Sequence, residues 1–290
     1  MATLRITSDG DPYPAKAGGD STGQIIPPVN DGVTARAFLD GSTIQDQTHD
    51  FTIKYRAGSN TSDPENVSLT SPIGITTNGV VIYSSGSSNS TLPLSTVSAP
   101  NNFTWNTVVL PDEYRPDLCG GRPETGGEYR YRSGAFYTHG MVGNSAFASS
   151  NNYYNLNSFG IEKMRHTDGH SKIIGFAFDG YPIYGPYGYT DATDTTSNVI
   201  QMTSSYRTKL TEAGGRGFTY ANKEAGSFIE DFEYVATLGT LDQHNGRFCK
   251  TPDYATGTYA YFLTFSDVQL NNPAYPYIIG PSTREQRSVQ

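Results

Sequence analysis

The stretch Gly175-Phe176-Ala177-Phe178-Asp179-Gly180-Tyr181-Pro182-Ile183-Tyr184 restates an earlier one, Gly74-Ile75-Thr76-Thr77-Asn78-Gly79-Val80-Val81-Ile82-Tyr83. Each copy runs through a short apolar segment into Asp-Gly or Asn-Gly and leaves through Ile-Tyr. Such a dipeptide between apolar residues is the strongest short-range hairpin signal, because both residues tolerate the backbone twist of a tight turn. A second pair of matches follows in the same order. Gly121-Arg122 with Thr125-Gly126-Gly127-Glu128-Tyr129-Arg130-Tyr131 is echoed by Gly246-Arg247 with Thr256-Gly257-Thr258-Tyr259-Ala260-Tyr261. Two ordered matches predict an internal duplication with insertions between the copies. The expected fold is mainly β, with two related β units (about 31–135 and 165–280) in one body spanning 31–280. Long irregular loops and at most one or two short helices complete it.

Composition points the same way. The 290 residues include 31 Gly, 17 Pro and 21 Tyr, and only 17% are charged, which suits short strands joined by turns. Aromatic residues at 12% can bury enough apolar area to hold a core. A net charge of −8 and a pI of about 5.1 argue against a phosphate-tracking surface, so nucleic acid is not an expected partner. No apolar run approaches the ~20 residues of a membrane-spanning helix. Met1-Ala2-Thr3-Leu4-Arg5 does not open a secretory leader. Neither membrane association nor glycosylation at Asn60, Asn66, Asn89 or Asn102 is expected. Cys119 and Cys249 are expected as free buried thiols of a chain made in a reducing cytosol; their places beside the two Gly-Arg elements leave a bridge open.

Residues 1–30, with Asp9-Gly10-Asp11-Pro12-Tyr13-Pro14 and Ile26-Pro27-Pro28, read as an extended arm that becomes ordered against a neighbour. Strands are expected at 34–39 and 51–55, on both sides of Asn78-Gly79 within 72–83, and at 103–110 around Trp105. Another at 128–132 puts Tyr129 and Tyr131 on one face, Arg130 and Arg132 on the other. Residues 84–98, 111–127 and 133–170 read as loops, and 172–184 as the second hairpin. Ser204 to Ala213 is predicted helical, capped by Ser and stopped at Gly214-Gly215. Strands at 228–235 and 258–264 follow, and the polar tail 281–290 is expected to fray.

Cys119-Gly120-Gly121-Arg122-Pro123 followed by Glu128-Tyr129-Arg130-Tyr131-Arg132 resembles the YHYH-domain family. The run Gly169 to Pro186, with Asp179-Gly180-Tyr181-Pro182-Ile183-Tyr184, is the more specific match. Leu241 to Phe248, containing Asn245-Gly246-Arg247, and Tyr275 to Gly280 match as well. The resemblance covers roughly residues 70–280. Arg130 and Arg132 stand where the naming motif has His, and Arg122 replaces a further His. Arginine neither ligates a metal nor acts as a base near neutral pH, but it holds carboxylates in bidentate pairs, which suits a structural role. Leaderless versions of the family resemble virion structural proteins of tailed phages, notably marine cyanophages.

Other candidates reduce to plainer roles. His166 and His170 would present two metal ligands on a helix, but Gly169 and the lack of helical pattern predict a hydrogen-bonded loop. Asp179 is a turn residue, since Asn78 occupies the same place in the first copy and cannot perform acid-base work. Glu230, Asp231 and Glu233 alternate faces of a strand and cannot form a glycosidase pair; Glu230 is expected to pair with a repeat arginine. Asp9, Asp11, Asp191 and Asp194 fall short of a calcium loop. No phosphate loop, nucleophile elbow or Cys-x-x-Cys occurs. Tyr153, Tyr154, Tyr187 and Tyr189 are candidate surface contacts, against the alternative of core packing.

The expected function is a non-enzymatic structural component of a phage virion, assembled in the host cytoplasm and needing no cofactor. It would dock on other virion proteins and on copies of itself, at a tail or baseplate position rather than the capsid surface. The alternatives are a glycan-binding host-recognition or capsid-decoration module, and a metal-dependent hydrolase built on His166, His170 and a carboxylate.

Overall fold

The computed structural model describes residues 2–10, 45–56, 58–87, 103–108, 121–124, 126–133, 165–209, 225–267 and 273–290. Two hairpins lie side by side at its centre. One joins β4 (Gly74–Thr76) to β5 (Val81–Ile82), the other β10 (Ile173–Ala177) to β11 (Pro182–Tyr184). Both turn at the expected dipeptide. Outward from them, β9 (Tyr129–Tyr131) lies parallel to β5, and β17 (Thr258–Phe262) parallel to β11. The edges are β8 (Gly121–Pro123) and β16 (Gly246–Cys249), each antiparallel to its neighbour. The curled eight-stranded order is therefore β16-β17-β11-β10-β4-β5-β9-β8.

Register follows the same plan on both sides. Ile82 faces Tyr131 and Ile183 faces Tyr261; Gly121 faces Tyr131 and Gly246 faces Tyr261. Where the hairpins meet, Phe176 lies opposite Ile75, flanked by Gly175 with Thr76 and Ala177 with Gly74. The pairing is thus symmetric about one central residue pair.

Tyrosines build the core. Tyr129, Tyr131, Tyr181, Tyr259 and Tyr261 are buried with Val80, Ile82, Ile174 and Ile183 on one face of the sheet. Tyr184, Met202, Leu241, Cys249, Ala260 and Phe262 form the cluster on the other. Strand β17 is buried along its whole length, covered on both faces. A buried tyrosine needs a partner for its hydroxyl, and Tyr259 donates to Asp242, Tyr261 to Asp179. Cys249 is free and buried; Cys119 lies outside the described residues.

Smaller pairs surround the sheet: β1 (Thr3–Ser8) with β2 (His49–Lys54), and β3 (Glu65–Asn66) with β18 (Ser282–Thr283). The others are β6 (Gly86–Ser87) with β7 (Trp105–Asn106), β12 (Tyr187–Tyr189) with β13 (Val199–Gln201), and β14 (Tyr206–Thr208) with β15 (Phe232–Tyr234). Among the described residues no helix reaches seven residues.

Several expectations change. Gly121–Pro123 and Gly86–Ser87, read as loop, are strands because β9 and β7 supply their main-chain partners. The start of the chain is a strand, since Thr3 to Ser8 pairs residue by residue with β2; residues 11–44, including the expected strand at 34–39, lie outside the described set. The segment predicted helical from Ser204 is extended at Tyr206–Thr208, because Arg207 meets Glu233 and Tyr206 meets Tyr234 across the pair. Cross-strand partners override a local capping signal. The polar tail does not fray. Thr52 and Gln290 exchange two backbone hydrogen bonds, Lys54 N donates to Ser288 O, and Ser288 N to Phe178 O. Main-chain pairing of this kind leaves no hydrophobic signal in a sequence.

Candidate functional site

The second hairpin turn anchors a buried network. Asp179 is fully buried, and its carboxylate accepts hydrogen bonds from Tyr261 Oη (2.6 Å), Glu285 N (3.2 Å) and Tyr181 N (3.3 Å). Tyr261 Oη in turn accepts from Arg284 N at 2.7 Å. Arg56 Nε donates to the Asp179 carbonyl at 2.8 Å, while its Nη1 lies 3.3 Å from Glu285 Oε2. Burial pushes the Asp179 carboxyl up to about 6, against the opposing pull of the Tyr261 hydroxyl, the Tyr181 and Glu285 amides and the Arg56 charge. These contacts tie the turn to the tail and to the chain just after β2. At the first hairpin turn Asn78 Nδ2 reaches Tyr131 Oη at 3.4 Å. The turn role expected for Asp179 is kept, with a tail clamp added to it.

Asn245-Gly246-Arg247 performs a comparable task at the edge strand. Asn245 sits at φ +64°, and its Nδ2 donates to Phe262 O (2.9 Å) and Ile278 O (3.1 Å). A Cβ on Gly246 would lie 2.6 Å from Ala260 O and would run into the Tyr259 ring, so only glycine lets β16 approach β17 there. Arg247 points to the opposite face and donates to Tyr189 O. Asp242 ties the element together: its Oδ1 accepts from His244 N, Gly246 N and Tyr259 Oη. Nothing singled out Asp242 in the sequence, though it stands four residues before Gly246 as Asp117 stands before Gly121. Asn245→Ala is expected to lose about 2–4 kcal/mol of stability, and Asn245→Gly about 1 kcal/mol less, since glycine keeps the left-handed backbone and loses only the amide bonds. Equal losses for the two variants in urea unfolding would refute the backbone part of that assignment.

The arginines of the naming motif behave as the alternation predicts. Tyr129 and Tyr131 are fully buried; Arg130 lies over the Tyr83 ring at 4.0 Å and donates to Glu128. Arg132, also buried, donates from Nη1 to Ser84 O (2.7 Å) and from Nη2 to Glu124 Oε1 (3.1 Å).

His166 to His170 forms a turn, with His166 N donating to His170 O and Asp168 Oδ1 accepting from His170 N. His170 is fully buried against Tyr184 and Tyr189, with Nδ1 2.7 Å from Ser171 O. Burial lowers its pKa to about 4, so the ring is neutral at neutral pH. His166 Nε2 lies instead 3.4 Å from Asp253 Oδ2, which also accepts from Tyr184 Oη. Among the described residues no three His, Cys, Asp or Glu side chains gather as a metal site requires.

Other candidates move. Glu230 does not pair with a repeat arginine; its Oε2 accepts from Thr104 N at 2.8 Å, because Ile229–Asp231 forms a 3-10 turn rather than a strand. Asp231 accepts from Gly226 N and Phe228 N, and Glu233 pairs with Arg207. Asp191 and Asp194 close local turns on Thr193 and Thr196. Tyr189, a candidate surface contact, is 2% exposed and donates to Asp168. Tyr187 is half-buried with the Arg165 guanidinium 3.5 Å over its ring. An Arg and an Asp brought from the preceding turn thus cover two rings whose local sequence reads as exposed. Tyr153 and Tyr154 lie outside the described residues.

A curled eight-stranded sheet whose motif side chains bind main-chain groups places the chain in the class of β-rich domains. The model of the YHYH protein family matches residues 51–272, and the chain belongs to that family. No curated protein and no solved structure matches it.

Proposed function

We propose that this protein is a non-enzymatic structural component of a virion, of the tailed-phage kind its sequence resembles, and that its two halves descend from one duplicated β unit. The single observation carrying the structural reading is the employment of the motif side chains. Asp179, Asn245, Arg132 and Arg247 each bind main-chain groups of a distant segment, which is how a scaffold is held and not how a reacting group is presented. The symmetric register about Phe176 and Ile75 supports the duplication. In this reading the protein docks on neighbouring subunits at the tail or baseplate.

Quantitative mass spectrometry of purified particles tests this. The protein should be present in a copy number set by the tail's cyclic symmetry. A far larger complement would move it to the capsid, and absence from particles would end the structural reading.

A further inference from the structure

Between the edge of the central sheet and the tail lies a cleft of about 400 Å³, lined among others by Asn60, Tyr234, Thr240, Asp242, Phe248 and Arg284. Its volume is in the range of small-ligand sites. Two of its walls are exposed rings, Tyr234 at 37% and Phe248 at 38%. Aromatic side chains of this size left open to water in a cleft offer flat apolar faces. Its polar floor is fixed by one buried residue. Tyr259 donates from Oη to Asp242, and its ring carries the Arg284 guanidinium 5.1 Å from the centroid.

The hydrogen-bonding capacity left over is specific. Asp242 Oδ1 already accepts from His244 N, Gly246 N and Tyr259 Oη, whereas Oδ2 only shares that one Tyr259 proton, at 3.1 Å. Arg284 uses Nε on Thr61 O and Nη2 on Asn60 Oδ1, which leaves Nη1, and Asn60 keeps its own Nδ2. An acceptor and two donors therefore stand on one wall beside flat apolar faces. We propose that this cleft binds a neutral saccharide, with vicinal hydroxyls bridging Asp242 and Arg284–Asn60 and a pyranose face resting on Phe248 or Tyr234. Of the charged residues lining the cleft, Asp242 and Arg284 are opposite in sign, while Arg247 commits its guanidinium to Tyr189 O on the opposite face of the sheet, so the groups left for a ligand carry one charge of each sign. The site is independent of the tyrosine-rich 150s loop and of any place in a particle.

A glycan array followed by NMR titration of the full chain with a neutral disaccharide tests the proposal. Neutral saccharides should bind in preference to carboxylated or sulfated ones. Phe248→Ala and Asn60→Ala, both at solvent-facing positions, should each weaken binding by about tenfold, the equivalent of one well-made contact, with unchanged thermal midpoint. Leu238→Ala, at an exposed residue outside the cleft lining, should leave affinity as it is. The proposal is overturned by an array on which no neutral saccharide binds, by preference for acidic sugars, or by affinity that neither Phe248→Ala nor Asn60→Ala changes. A neutral saccharide whose chemical-shift changes fall away from the cleft would overturn it too.

Discussion

Alanine in place of Gly180 is expected to lower stability by about 4 kcal/mol or more, in the exceptional range for one substitution. Two effects add. The residue sits at φ +101°, where an L side chain is strained by about 1–2 kcal/mol. A Cβ there would also run into the carbonyl oxygen of Lys54, a backbone atom of β2 that has no freedom to swing aside. Gly180 N and O are both engaged, donating to Ala177 O and accepting from Arg56 N, so the turn cannot tilt away without breaking them. Gly126 separates the two terms. It has φ +89° and nothing within 4 Å of a built Cβ, so Gly126→Ala should show the backbone strain alone. Chemical denaturation of both variants decides the matter: equal losses would mean that the second hairpin does not press on β2 as described.

The second large effect is expected at Tyr261. Tyr261→Phe removes a fully buried hydroxyl that donates to Asp179 and accepts from Arg284 N, leaving a carboxylate and an amide short of partners. The loss should be about 3 kcal/mol at neutral pH, from one charge-assisted bond and one orphaned donor. Its pH dependence is diagnostic. In the folded chain the Asp179 carboxyl titrates at about 6, above its ordinary value of 3.8. Between those two values the folded state holds a proton that the unfolded chain has released. The stabilising contribution of this group is therefore complete below about pH 4 and is lost as pH rises through about 6. In Tyr261→Phe the ionised form loses its best donor, so the penalty should shrink between pH 7 and pH 5, where the carboxyl becomes protonated. Parallel denaturation curves at those two pH values measure it, and a penalty that stays constant or grows toward pH 5 would contradict the clamp.

Some of this was open to reading from residues alone. Asn78-Gly79 and Asp179-Gly180 located both central hairpins, because turn chemistry is local and the glycine φ angles leave few alternatives. The alternation at 129–132 sorted tyrosines from arginines correctly, because a strand's period of two is a property of the backbone. Comparison of the copies identified Asp179 as a turn residue, and Asn78 does occupy the matching turn. Ser204 to Ala213 went the other way: its capping signal was real, but Glu233 and Tyr234, distant in sequence, supply cross-strand partners that a helix would forgo. Tyr189 is buried for a related reason, since Asp168 reaches its hydroxyl from across a turn, and Arg165 lies over the ring of half-buried Tyr187.

What the sequence determined by itself was the β class, the two hairpins and the alternation at 129–132, all of them consequences of local turn geometry and side-chain alternation. What only the tertiary structure decided was which groups meet: Asp179 with the amide of Glu285, the last residues with β2, and Asp242, Arg284 and Phe248 around one cleft. Those contacts run through main-chain atoms or join positions far apart in the chain. Neither leaves a periodicity or a motif to be read, because a backbone amide is the same in every residue and distance along the chain says nothing of distance in space.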